Sequence, residues 1–369
     1  MAEHRQRQRR STPLAWTAAL TVGILLLGGA AVLTRRLAGE GTAPPPTAGP
    51  TAPHTTLEST PEPGANLAGP LNLLLVGVDT RVSVPGWEPH ADAVLIMHVT
   101  ETLDRAYLFA LPRDLLVDVP ALPAAGFAGA HTKLTHAMSY GSRRLDRAGE
   151  PDTAQGFDLL ETTVGQYTGI GEFDAGAVLT FGGFTQLVDA LGGVDLDIDQ
   201  RVVSLHRQPD GKHRKLVNGT YVGPQMIYEP GRRHLAGWQA LDYARQRYQA
   251  GGTYSRQRHH QQLIKALVGR VRDADLARDP DRLTPVLAAL NETLTFQGRG
   301  QRVLDFAFAL SELRPEAITL VALPGRSVGG GADYRGERLE PVADDFLAAL
   351  RAGQVADFLA EHPHLLIEG

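Results

Sequence analysis

The 369-residue chain contains no cysteine. Disulfide frameworks, thiolate metal sites and cysteine nucleophiles are therefore excluded. Lysine is scarce as well: Lys133, Lys212, Lys215 and Lys265 are the only four among 36 basic residues. The rest are arginine, whose planar five-donor fork suits phosphate and carboxylate, although a general compositional bias gives the same count. Common signatures are missing too. There is no G-x-x-x-x-G-K-[ST], no H-E-x-x-H and no G-x-G-x-x-G after the first apolar run. Gly325-Arg326-Ser327-Val328-Gly329 fits G-x-S-x-G, but the GGADYRG that follows would not start the helix a nucleophile elbow needs. It reads as a glycine-rich loop.

What is present describes a globular chain, 43% hydrophobic and 21% charged, with a formal net charge of -5. The length allows one large domain or two ordinary ones. MAEHRQRQRRSTPLA (1–15) carries four arginines, and residues 16–34 then run without a charge. About 20 apolar residues cross a hydrocarbon core, so 16–34 is expected to be a single transmembrane helix. Arg5, Arg7, Arg9 and Arg10 outnumber Arg35 and Arg36. That asymmetry expects a cytoplasmic tail at 1–15 and everything after the anchor on the outer side of the cell membrane. The run is longer than the apolar region of a cleaved signal peptide, and no clear A-x-A site follows it. Residues 35–69, rich in Pro and Thr, read as an extended extracytoplasmic tether.

One ordered domain is expected over 70–369. LNLLLVGVD (71–79), ADAVLIMHV (91–99) and AYLFALPRD (106–114) read as strands, with further strands at 176–180, 194–202 and 317–323. Helical patterns occupy 157–168, 182–191, 235–245, 255–272, 281–290, 301–313 and 341–360. Strands followed by interleaved helices argue for an α/β or α+β domain with a mixed sheet covered by helices. Residues 201–234 are polar and Gly-rich and are expected to be a long insertion loop, lining a site or disordered.

Asp79 closes the first run and Asp92 opens the second. If those strands are antiparallel neighbours, both carboxylates emerge at one sheet edge, a pair suited to Mg²⁺. Taken singly, either is as readily a turn residue. Arg81 and Arg113 are expected at the same edge. Asp195, Asp197 and Asp199 alternate along a strand and share a face able to hold a divalent cation, but for Asp197 and Asp199 a solvated face is the expectation. Leading into ALDYARQRYQAGGTYSRQRHHQQLI (240–264), Leu235, Trp238 and Leu241 stand at helical spacing over 235–245 and mark a packed helix. Arg245 and Arg247 are two apart, so an extended exit after Tyr243 would aim both to one side. Ser255 can cap the next helix, on which Arg256 and His260 share a face with Leu263, Ile264 and Leu267. Arginine at a helix N-terminus points to a bound anion. Arg258 and His259 are expected to face water.

GVDTR (77–81), AD (91–92), LPRD (111–114), KLTHAMSYG (133–141), DALGGVD (189–195) and ALDYARQRY with SRQRH (240–259) together resemble the LytR-CpsA-Psr family in order and spacing. The resemblance covers about 70–272 and includes the single anchor. It implies an α/β (α-β-α) fold with a mixed central sheet and a long hydrophobic pocket for a polyprenyl chain. The activity implied is transfer of a glycopolymer (teichoic acid, capsule or arabinogalactan type) from a polyprenyl-pyrophosphate carrier to peptidoglycan, with polyprenyl pyrophosphatase as a side activity. Asp79 and Asp92 would hold Mg²⁺, or Mn²⁺, against the pyrophosphate. Arg113, Arg245, Arg247 and Arg256 would grip its oxygens, with Arg81 and Lys133 beside them. No side chain demands to be the general base, and Asp79 or Asp92 is the default. The chain departs from the family pattern at His90, Thr253 and His260. His90 and His260 can still donate to phosphate. A different class of function is a non-catalytic binder of polyprenyl phosphate or wall polymer on the same fold. Nucleic acid is not an expected partner: there is no helix-turn-helix or zinc finger, and the basic cluster lies beyond the membrane.

Overall fold

The computed structural model describes residues 63–79, 86–247, 250–276, 278–290 and 293–367. The expected span 16–34, nearly all of the tether and Arg81 lie outside them. No helix among the described residues is long and apolar enough to cross a membrane.

In chain order, β1 (Leu71–Asp79), β2 (His90–Val99) and β3 (Ala106–Leu111) form a meander. The hairpin β4 (Leu116–Val119) and β5 (Ala130–Lys133) leads to α1 (Thr135–Gly141) and α2 (Thr153–Thr168). Then come β6 (Ala175–Thr180), α3 (Phe181–Ala190) and β7 (Val194–Ile198). A wing of short strands follows: β8 (Val202–Val203), β9 (Lys215–Val217), β10 (Thr220–Val222), β11 (Ile227–Tyr228) and β12 (Gly231–Leu235). After it stand α4 (Gly237–Arg245), α5 (Gly252–Asp273), α6 (Pro280–Ala289), β13 (Leu294–Gln297) and α7 (Val303–Ala309). The chain closes with β14 (Ile318–Val321), the hairpin β15 (Gly325–Val328) and β16 (Gly336–Leu339), α8 (Pro341–Arg351) and α9 (Val355–Glu361).

The central sheet has the order β13-β6-β1-β2-β3-β14. β1–β6 and β3–β14 pair in parallel and the remaining neighbours antiparallel, so the sheet is mixed. Its two faces bury separate cores. Leu73, Leu75, Leu95 and Met97 meet Leu187 of α3, Tyr243 of α4, Leu263 of α5 and Phe306 of α7. Leu74, Val76, Ile96 and Phe109 meet Met138 of α1, Phe157 of α2, Phe346 of α8 and Leu359 of α9. Burial on both faces explains why β1 reads as an unbroken apolar run. The expected helix-sheet-helix layering is present.

Helix ends follow local chemistry. Asp152 caps α2 by accepting from the Gln155 N–H at 3.0 Å, and Thr180 caps α3 by accepting from Gly183 at 3.0 Å. The helix expected over 341–360 is two helices. Gly353, at φ +69°, ends the first in a conformation that side chains disfavour, and the chain turns before Val355. The strand expected over 194–202 stops at Ile198, and the helix expected over 301–313 spans only α7.

Residues 201–234 are not a structureless loop. Asn218 (φ +48°) and Gly219 (φ +77°) make the two-residue turn that matches strand twist, joining β9 to β10. β8 pairs with β11, and β12 returns along β7. Arg214, buried at 9% exposure, ties the wing together. It donates to the carbonyls of Leu205 (2.8 Å), Tyr221 (2.9 Å) and Gly223 (3.2 Å).

Candidate active site

β1 and β2 are antiparallel neighbours, with Asp79 opposite His90. The register shifts after Gly77: Gly77 faces Ala93 and Val78 faces Ala91, so Asp92 is the extra residue of a β-bulge. Strand alternation therefore changes phase at Asp92. Ala93 and Leu95 face the α5 side of the sheet on one side of the bulge, and His90 reaches that same side beyond it. His90, Asp92, Ala93 and Leu95 all line one cavity of about 450 Å³. Asp79, Arg113, Arg245, Arg247, Arg256 and His260 line it too. Its apolar wall includes Leu75, Leu179, Phe184, Leu241, Leu263 and Ile264. Asp79 and Leu75 are four residue steps apart along β1, about 13 Å of strand. The cavity is charged at the strand ends and apolar toward the middle of the sheet.

α4 ends at Arg245, and Gln246 adopts an extended conformation with ψ 131°. The helix runs two residues past Tyr243, where the exit was expected, and the extended Gln246 then sends Arg245 and Arg247 to a common cavity wall. Arg245 lies 4.7 Å over the Phe181 ring. Gln246 fixes the exit: its amide donates to the Asp242 side chain at 2.9 Å, and its oxygen accepts from the Leu205 N–H at 3.0 Å. Asp242 is itself buried, accepting from Ser204 Oγ (3.0 Å) and Tyr228 OH (2.9 Å).

Arg256 enters from the first turns of α5 and is only 5% exposed. Burial, then the neighbouring charges of Arg247 and Arg113, push its guanidinium down to about 10, so it stays charged at neutral pH. Its Nε has no hydrogen-bond partner among the described residues. Arg113 bonds Asp92 through its terminal nitrogen and approaches Asp114 at 3.6 Å. Burial lowers its pKa first, and Arg247 adds to that. Three guanidinium groups thus share one wall and repel one another, the arrangement that a polyanion relieves.

Of the ten site residues expected from sequence, eight line the cavity: Asp79, Asp92, Arg113, Arg245, Arg247, Arg256, His90 and His260. Arg81 is outside the described residues. Lys133 is not on the wall; it pairs with Asp114 at 3.7 Å and lies 4.6 Å over the Tyr334 ring. His260 hydrogen-bonds the Ala244 carbonyl at 3.0 Å through Nε2, so that nitrogen carries the proton and donates. Burial, then Arg256, push the ring down to about 3, leaving it neutral with Nδ1 as an acceptor. His90 donates Nδ1–H to the Glu88 carbonyl at 2.9 Å.

Two expectations are corrected. His259 does not face water: it is fully buried, stacked 4.2 Å from Tyr243, with Asp199 at 3.5 Å. Arg258 is ion-paired with Asp199. α5 packs on α4, β7 and the central sheet together, so it has several buried faces where a single core stripe was expected. Asp199 is correspondingly no solvated spare. Asp195 and Asp197 pair with His234 (2.9 Å) and Arg232 (3.5 Å), so each aspartate of that face has its own partner.

Sequence reasoning missed a buried carboxylate network behind Arg113. Glu337, 5% exposed, accepts from Tyr334 OH (3.0 Å) and Ser327 Oγ (3.1 Å), and Tyr334 OH also reaches Asp114 at 3.3 Å. The Ser of the G-x-S-x-G match is thus a strand residue tied to a carboxylate. Asp114 was legible as the last letter of LPRD; Tyr334 and Glu337 lie more than 200 residues away and gave no signal. His206, also on the cavity wall, comes from the wing.

TagU of Enterococcus faecalis, a polyisoprenyl-teichoic acid–peptidoglycan teichoic acid transferase, is 24% identical over 269 residues, 72% of this chain and 76% of that protein. The cell wall biosynthesis protein LcpA of Corynebacterium glutamicum is 24% identical over 288 residues, 72% of this chain and 52% of that protein. The chain thus spans about half the length of several curated relatives. Among solved structures, Bacillus subtilis TagV superposes with a TM-score of 0.55 at 17% identity, covering 77% of this chain and 96% of that one. TagT bound to LI-WTA gives 0.52 at 18% identity, covering 76% and 89%. These likenesses establish the shared fold. The profile of the LytR_cpsA_psr family matches residues 50–344, which takes in the whole cavity and every strand of the central sheet, and the chain belongs to that family.

Proposed function

We propose that the chain transfers a glycopolymer from a polyprenyl-pyrophosphate carrier to a hydroxyl of peptidoglycan. The observation that carries this reading is the cavity itself. Three mutually repelling guanidinium groups (Arg113, Arg247 and Arg256) stand at one end of an apolar chamber. A lipid pyrophosphate has the matching form, two phosphates on a hydrocarbon chain. Each buried CH₂ of that chain contributes about 0.8 kcal/mol. The name of TagU, a teichoic acid–peptidoglycan transferase, supports the direction of the chemistry, and that of LcpA supports a part in cell wall biosynthesis.

In the reaction the acceptor hydroxyl attacks the phosphorus that carries the glycan. The bond from that phosphorus to the bridging oxygen breaks, and polyprenyl monophosphate leaves. Arg113, Arg247 and Arg256 neutralise charge growing on the bridging and terminal oxygens. Asp92 orients Arg113 through their ion pair. The general base is Asp79 or Asp92. The same two carboxylates, on adjacent strands at one end of the cavity, fit a hard cation that takes one or two protein ligands and completes its shell with water and phosphate oxygens. They would hold Mg²⁺ or Mn²⁺, which when bound neutralises pyrophosphate charge. The reading places the domain outside the cell membrane on the N-terminal anchor.

The test uses the full chain in detergent with a synthetic polyprenyl-pyrophosphoryl saccharide and a peptidoglycan fragment. Release of polyprenyl monophosphate and transfer of the saccharide phosphate are expected, stopped by EDTA and restored by Mg²⁺. Retention of the lipid without release would instead identify a carrier-lipid binder, the reading that the neutral, carbonyl-bonded His260 favours. Neither binding nor release would sink both.

A further inference from the structure

The wing at 201–234 has two features that the catalytic reading does not use. Five of the seven exposed large hydrophobic side chains among the described residues belong to it: Val203, Leu216, Val217, Val222 and Ile227. Leu216 (60% exposed), Val217 (48%) and Val222 (42%) crowd the hairpin around Asn218-Gly219, and Val203 faces Ile227 directly across β8–β11. Single exposed apolar residues are ordinary, but a concentration of this kind marks a contact surface. The same segment holds seven Lys and Arg residues against two acidic ones, a local excess of five in a chain whose net charge is -5. Two of the four lysines, Lys212 and Lys215, are here.

We propose that this wing docks the domain on an anionic bilayer, with the hairpin of Leu216, Val217 and Val222 seated among the lipids and the exposed basic residues, Lys212 and Lys215 nearest the hairpin in sequence, at the headgroups. Apolar tips ringed by cations are the chemistry of an interfacial membrane contact. A soluble anionic polymer would use the charge but leaves the hydrophobic tip without a partner. The hairpin is also built to hold its shape. Arg214 bonds three carbonyls at its base, and Tyr221 packs edge-on against His206 at 5.1 Å. His206 and Leu205 belong to the cavity wall, so a seated wing brings that wall to the lipid surface. The proposal goes beyond the transferase reading, and its test needs no turnover.

Because the chain has no cysteine, one introduced thiol is a unique label site. Leu216→Cys and Val217→Cys, each with an environment-sensitive fluorophore, are compared in the full chain reconstituted into phosphatidylglycerol vesicles with brominated acyl chains. Glu101→Cys, exposed at the β2–β3 turn and so at the opposite strand ends from Asp79 and Asp92, is the reference. Strong quenching is expected at both hairpin positions and none at Glu101→Cys. Quenching should be lost in phosphatidylcholine vesicles and on adding K212E and K215E. Unquenched hairpin labels would overturn the proposal, as would equal quenching at Glu101→Cys. A hairpin label shielded only when soluble teichoic acid is added would overturn it in favour of a polymer-binding face. Transfer activity measured on the same vesicles keeps this outcome separate from failure of the transferase reading.

Discussion

A neutral imidazole beside a guanidinium is a pH-dependent element of stability. The folded value for His260 is about 3, against an ordinary value near 6.5 in the unfolded chain. Between those limits the unfolded chain binds the proton and the folded chain does not. The contribution is therefore complete above about pH 6.5 and is lost as pH falls toward 3. His260→Gln, whose amide can also donate to Ala244, should make stability fall less steeply. Between pH 7 and pH 5 the variant should lose roughly 1–2 kcal/mol less than the parent, as read by urea unfolding at the two pH values. An unchanged slope would show that the ring is not held neutral. Arg256 carries the opposite sign. Arg256→Met removes a buried charge repelled by Arg113 and Arg247, so the Tm should hold or rise. Transfer should fall by about 10²–10³-fold. A large drop in Tm would instead make Arg256 a structural residue.

Among the elements, long apolar strands and amphipathic helices were readable because burial on a sheet face leaves a periodic trace. The shared edge of Asp79 and Asp92 followed from β1 and β2 alone, and an extended exit beside Arg245 and Arg247 followed from their spacing, though the helix ends at Arg245 and not at Tyr243. The wing was less legible because its strands are two to five residues long and mostly exposed, so they carry no period. Asn218-Gly219 was nevertheless a hairpin signal in plain view. The burial of His259 could not be read locally, since it depends on β7 and α4 packing on the same helix. Element packing also turns on small residues. Gly176 of β6 lies under Phe157 of α2, where an added Cβ would come within 2.0 Å of the ring. Gly176→Ala should lower stability by about 1–3 kcal/mol through overpacking, measured as a shift in denaturation midpoint without a change in slope. No shift would mean that α2 slides freely on the sheet.

For the molecule as a whole, the family match ends at residue 344, but the second core does not. Phe346 packs on Phe109 at 5.2 Å, and Leu347, Leu350, Val355 and Leu359 complete that side. The last residues return to the sheet, with the Ile367 N–H donating to the Leu320 carbonyl at 3.0 Å. A chain ending at Asp344 should lose cooperative thermal unfolding and expose one face of β3. A sharp transition in that truncated chain would show that α8 and α9 are dispensable. The bulge at Asp92 has a consequence for how such a site changes over generations. Point substitutions cannot undo it, because the change of phase comes from the number of residues in β2 and not from their identity. Loss of that one residue would leave Ala91 opposite Val78 and His90 opposite Asp79, and would take only the Asp92 carboxylate out of the cavity in a single event. In a lineage of these chains, the alignment gap to watch is one residue wide and falls between Ala91 and Ala93.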